Sequence, residues 1–159
     1  MSGVRYLLII PVLFASLALA ACGEDDVATP TACLQGPDKI ATALVTAPDP
    51  VMIDGTMPIS GCLVGDQPTG DLVTFGTDAV IVATRLGSAA GGSGPEAIKA
   101  AIQAGYLVGA MEKGAETSAG IHSALVDRVE SAATNELERS GDGAQVHYDA
   151  GLEAGLKYG

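Results

Sequence analysis

The chain has 159 residues, about one domain's worth, with 8 basic against 19 acidic side chains and a formal net charge of −11. Hydrophobic residues make up 48%, aromatic residues 4% and charged residues 17%, and there is no Trp. So acidic a chain, with few cations to cluster, has no electrostatic footprint for nucleic acid or for an anionic surface.

Met1 to Arg5 is a short leader whose one positive side chain is Arg5. Tyr6 to Ala21 is uncharged and mostly apolar, and Pro11 lies inside it. A spanning helix needs about 20 apolar residues, so this run is short for an anchor and suits an export signal. Proline would also bend a permanent helix there. The run ends in Leu19-Ala20-Ala21-Cys22, which resembles the lipobox of bacterial lipoproteins. That resemblance implies a diacylglyceryl group on the Cys22 thiol and cleavage just before it. Residues 1–21 are then a signal peptide, and loss of Arg5 makes the remaining chain one unit more negative. The protein is expected outside the cytoplasm, lipid-anchored on the outer leaflet of the cell membrane, or on the outer membrane of a diderm host. In double-membrane bacteria Asp after the lipidated cysteine often marks inner-membrane retention, and Gly23 does not carry that mark.

Gly23 to Ala32 (GEDDVATPTA) is small, acidic and without apolar period, so residues 22–32 are expected to form a lipidated cysteine and flexible tether. Ten such residues reach at most about 35 Å. A single helical domain is expected over 33–159. Cys33 and Cys62 are the two cysteines left, and an oxidising compartment makes them a pair. Their disulfide would close about 30 residues and stabilise by about 3.5 kcal/mol. A metal or redox role is disfavoured: there is no Cys-x-x-Cys, and neither cysteine has a neighbouring His.

Gly36-Pro37 opens a short helix, Ile40 and Leu44 share a face, and Ala47-Pro48 closes it. From Pro48 to Pro58 the chain is too rich in proline for a helix. Val51 to Ile53, Asp54-Gly55 and Thr56-Met57 carry a hairpin signal. Ser60 could cap a turn around Cys62. Asp66 could cap the next helix, where Leu72, Phe75, Ala79, Val82 and Leu86 form one stripe. The β-branched run Val80-Ile81-Val82 competes with that assignment. Gly87 to Gly94 reads as a loop, and Ser93-Gly94-Pro95-Glu96 as a capping box. A helix to about Thr117 would show Ile98, Ile102, Gly105 and Gly109 on one face. Another from about Ser118 would bury Ile121, Leu125, Val129 and Ala132, and the last runs from about Ala144 to Tyr158. The fold class is all-α: a small bundle of four to five helices, with an N-terminal Pro-rich loop or minor hairpin and one disulfide.

Glycine is abundant, with 21 in the chain. Gly105 and Gly109 stand four apart, as do Gly151, Gly155 and Gly159. Each mid-helix Gly costs about 1 kcal/mol relative to Ala. Close approach of two helix backbones through these glycines would offset that cost. Gly105-Tyr106-Leu107-Val108-Gly109-Ala110 with Gly120-Ile121-His122 downstream is similar to uncharacterised lipoproteins of GC-rich Gram-positive bacteria. That resemblance implies no activity and carries no functional residue across.

Catalytic signatures are sparse. His122 and His147 are the only histidines, and neither stands in a Glu-x-x-His or His-Glu-x-x-His motif. His147 and Asp149 are two apart on a helix and point apart. A polar site would have to gather His122, His147, Asp149 and Glu112 from separate helices. Glu112 and Glu116 share a face at i,i+4, the ordinary pattern of a solvated acidic face. There is no Gly-x-Ser-x-Gly, and Gly91-Gly92-Ser93-Gly94 lacks the lysine of a phosphate loop. No catalytic residue, cofactor or metal is expected. The leading expectation is a non-catalytic interaction or structural module of the cell envelope with an envelope protein as partner. The alternatives are a small-molecule or lipid carrier with an interhelical pocket, and an envelope hydrolase.

Overall fold

The computed structural model describes residues 27–118, 120, 122–137 and 142–159. Five helices carry the fold: α1 (Pro37–Ala43), α2 (Thr69–Ala90), α3 (Pro95–Thr117), α4 (Ser123–Thr134) and α5 (Asp142–Tyr158). The only sheet among the described residues is the hairpin β1 (Met52–Ile53) and β2 (Met57–Pro58). The fold is all-α.

The N-terminal segment is held to the bundle by covalent and polar ties. Cys33 and Cys62, each in a 3₁₀ turn, form a disulfide with a Cα–Cα distance of 5.6 Å. In the hairpin, Asp54 (φ 49°) and Gly55 (φ 74°) both take the positive φ angles of a type I′ turn. The register pairs Met52 with Pro58 and Ile53 with Met57. Lys39 lies 3.0 Å from the Asp54 carboxylate, and this hydrogen bond, with one from Gln35, holds the Asp54 pKa below its usual value. Behind the hairpin, the Val51 N–H donates to the Tyr106 hydroxyl (3.0 Å), and the Gln103 side-chain amide donates to Leu44 O (2.9 Å). Both partners sit on α3 and both bonds are buried. They satisfy loop backbone groups that would otherwise be left unpaired away from water.

Helix α3 is the centre of the bundle, and most of its residues are buried. Glycine decides what lies against it. A Cβ added at Gly105 would strike Tyr148 O, and one at Gly109 would strike Leu152 O. Reciprocally, a Cβ at Gly151 would strike Ile102 O and one at Gly155 would strike Tyr106 O. The contacts advance along both helices together, so α3 and α5 run parallel with backbone against backbone. Helices α2 and α4 meet in the same manner: a Cβ at Gly87 would lie 2.5 Å from Ala133 O, and Gly76 faces Leu125. Thus α2 and α4 run one way, and α3 and α5 the other. Phe75, Ala79 and Val82 of α2 close the core from one side, with Leu107 and Met111 of α3.

Several local expectations are corrected. Helix α2 does not stop at Gly87 but continues to Ala90, because Gly87 is a buried packing position rather than a breaker. The Val80-Ile81-Val82 run is not among them: it is helical, as the stripe through Val82 predicts. Asp66 does not cap α2; Pro68 holds the N-cap position. The N-cap of α3 is Gly94, with no side-chain cap from Ser93, and Ser60 caps nothing. Ile98 is 42% exposed and stands off the buried face. Helix α4 starts five residues later than expected and buries Val126, Val129 and Ala133, while Leu125 and Ala132 are half-buried. Ile121 lies outside the described residues.

Candidate functional site

The last two turns of α3 and the first two of α4 come together around Gly120, whose φ of 82° helps the chain reverse. Glu112 and Glu116 line α3 on one side of the resulting cleft. Asp127 and Glu130 line α4 on the other, over Ala115 and Val126. The cleft is shallow, about 380 Å³. Four carboxylates therefore face a common space. The Lys39–Asp54 and Arg85–Asp38 ion pairs lie elsewhere. Glu112 is half-buried, and burial raises its pKa, with the charges of Glu130 and Glu116 adding to the shift.

Behind this wall stands Tyr148 of α5, 3% exposed, with no hydrogen-bond partner for its hydroxyl. Burial, then the charges of Glu130, Glu112 and Asp149, raise its pKa well above the ordinary value. The phenol is neutral at any physiological pH. His122 immediately precedes α4 and is 2% exposed, with Nδ1 unpartnered. Burial lowers its pKa and favours the neutral imidazole.

The remaining sequence candidates are elsewhere. His147 lines a groove with Ser93, Gly94 and Ile98, beside the start of α3. His122 follows the end of α3, and a helix of 23 residues is about 34 Å long. The two histidines therefore lie at opposite ends of the bundle. No hydrogen bond joins Ser93 to His147 among the described residues. Asp149 is exposed and accepts a hydrogen bond from the Gln145 side chain (2.7 Å). Glu112 alone of the four polar candidates belongs to the acidic cleft. No group of three or more His, Cys, Asp or Glu among the described residues is arranged to hold a metal ion. Cys22 lies outside the described residues. Gly105, Gly109, Gly151 and Gly155 are packing positions, with no open space over them.

Asp127, Glu130 and Tyr148 were not singled out from sequence. The first two carried a signal: an acidic i,i+3 pair one short connection after the Glu112/Glu116 pair, on the neighbouring helix. Tyr148 carried none, since its position behind the cleft depends on the α3–α5 seam. No known family matches the chain, and no curated protein or solved structure is similar to it.

Proposed function

We propose that the chain is an exported lipoprotein, anchored by acyl groups on Cys22, whose helical domain is a non-catalytic interaction module of the cell envelope. The observation that carries this reading is the ordered succession of basic leader, short apolar run and Leu19-Ala20-Ala21-Cys22. The Cys33–Cys62 disulfide supports it, because such bonds persist in oxidising compartments. Acyl chains contribute about 0.8 kcal/mol per buried methylene, so two or more hold the protein firmly at the membrane. The acidic surface suits a protein partner better than a nucleic acid. The carrier alternative has an interhelical cleft at its disposal, but four carboxylates line it and make it a poor receptor for an acyl chain. A hydrolase would need an acid or base beside a nucleophile, and the two histidines stand far from each other.

The test is metabolic labelling of the producing cells with an alkyne-bearing fatty acid, followed by membrane fractionation. The wild type is expected to take the label and sediment with membranes. The Cys22→Ala variant is expected to take none and to keep its signal segment. Label-free wild-type protein, or label retained in Cys22→Ala, would refute the anchor.

A further inference from the structure

The tether reaches the domain earlier than its composition suggests. The Val27 N–H donates to Asp66 O (3.0 Å). Thr29 is buried, and its hydroxyl accepts from the Gln67 amide (3.2 Å), whose oxygen in turn accepts from the Val64 N–H (3.2 Å). The Cys33–Cys62 disulfide follows within a few residues. The chain's point of entry is thus fixed against the Val64 to Gln67 segment and cannot swing around the bundle. That segment leads directly into Pro68, the N-cap of α2. Because α2 and α4 run together and α3 runs against them, the start of α2, the end of α3 and the start of α4 share one end of the molecule. Glu116, Gly120 and Ser123 of the acidic cleft lie at that end.

We infer that this end of the bundle faces the headgroup layer of the membrane, while the Gly91 to Gly94 turn with Ile98 and His147 points into the envelope space. The inference rests on the lipid anchor proposed above and adds an orientation to it. From Cys22 to Val27 is five Cα steps, which span at most about 18 Å. Helix α2 has 22 residues and is about 33 Å long. Turning the domain over would lift Val27 by the length of α2, about twice what the tether allows. The Glu116 and Gly120 part of the acidic cleft then lies toward the membrane side, and the shallow groove around Ile98 and His147 lies at the distal end.

The experiment uses the full lipidated chain, purified from membranes and reconstituted into phosphatidylcholine vesicles carrying an energy-acceptor dye on a fraction of headgroups. Cys22 is acylated and Cys33 and Cys62 are bonded, so an added cysteine is the one free thiol. A donor dye is placed at Thr117→Cys or, in a second protein, at Ser93→Cys; both positions are exposed. Ser123→Cys repeats the first measurement, and circular dichroism checks each variant's fold. Energy transfer is expected to be severalfold stronger from Thr117 and Ser123 than from Ser93. Equal transfer, or stronger transfer from Ser93, on protein that mass spectrometry shows to be acylated overturns the orientation and leaves the anchor standing. Protein without an acyl mass overturns both.

Discussion

At the residue scale, two kinds of position control stability here. The first is a glycine whose missing Cβ is the space occupied by another backbone. At Gly105 and Gly155 the atom in the way is a carbonyl oxygen of the facing helix, which cannot rotate aside as a side chain can. Gly105→Ala is therefore expected to destabilise by about 3 kcal/mol, the upper part of the usual overpacking range. Gly143→Ala meets nothing within 4 Å, and in the first turn of α5 it is expected to be neutral or stabilising by up to about 1 kcal/mol. Urea unfolding of both variants checks the pair; equal losses would show that the seam is not as tight as described. The second kind is the buried titrating group. Burial holds the His122 pKa below 6.5, so its contribution is fully present above that pH and is lost as pH falls through the folded value. Glu112 works in the opposite sense. Its pKa is raised above 4.5, so its contribution is fully present below that pH and is lost as pH rises through the folded value. Solvent screens the half-exposed carboxylate, which keeps its effect small. Glu112→Gln is thus expected to gain stability at neutral pH relative to wild type and to lose that gain on acidification. His122→Leu should instead remove part of the acid sensitivity. Thermal melts of the two variants across the acid range read these opposite slopes, and parallel slopes would refute the assignment.

At the element scale, the N-terminal third is a small, loop-rich lobe bound to α3 by the Tyr106 and Gln103 hydrogen bonds and closed on itself by the disulfide. Cross-linking residues 29 apart limits the unfolded chain by about 3.5 kcal/mol. The double variant Cys33→Ala/Cys62→Ala is expected to lose roughly that much in denaturant unfolding. A loss below about 1 kcal/mol would mean that polar ties and burial alone hold the lobe. Much of this level was legible in the sequence. The Asp54-Gly55 turn, the pairing of the cysteines, the α2 stripe and the glycine seam each follow from a local rule of spacing or turn chemistry. What was not legible depended on tertiary contact. Gly87 looked like a helix stop but is a packing position against Ala133. Ile98 fell on the expected stripe of α3 but was left uncovered. The carboxylates of the cleft could be named singly, yet only the turn at Gly120 sets them face to face. The histidines were legible as residues but not as a site, because the bundle places them at opposite ends.

At the scale of the whole molecule, the dominant quantity is charge. A net charge of −11 repels itself in the compact state more than in the expanded one. Among the described residues, the Lys39–Asp54 and Arg85–Asp38 pairs act against it, and as exposed pairs they are weak. Added salt weakens both effects, and their balance fixes the sign. Repulsion acts among many charges at separations near or beyond the Debye length of about 10 Å at 0.1 M, where screening is effective. The Lys39–Asp54 and Arg85–Asp38 attractions are contacts at 3.0 Å, which salt screens less completely. Sodium chloride is therefore expected to raise the melting temperature, most steeply at low concentration, and then to level off as the screening length falls below the spacing of the charges. The facing carboxylates of the cleft should carry a disproportionate share, since like charges face one another there across a gap. Accordingly the Glu112→Gln/Glu130→Gln variant is expected to melt higher than wild type in low salt and to gain less from added salt. Scanning calorimetry of the two proteins over the same salt series measures both quantities. A melting temperature that falls with salt would mean that attraction outweighs repulsion across the molecule. An undiminished salt response in the double variant would place the repulsion elsewhere on the surface and relieve the cleft of that role.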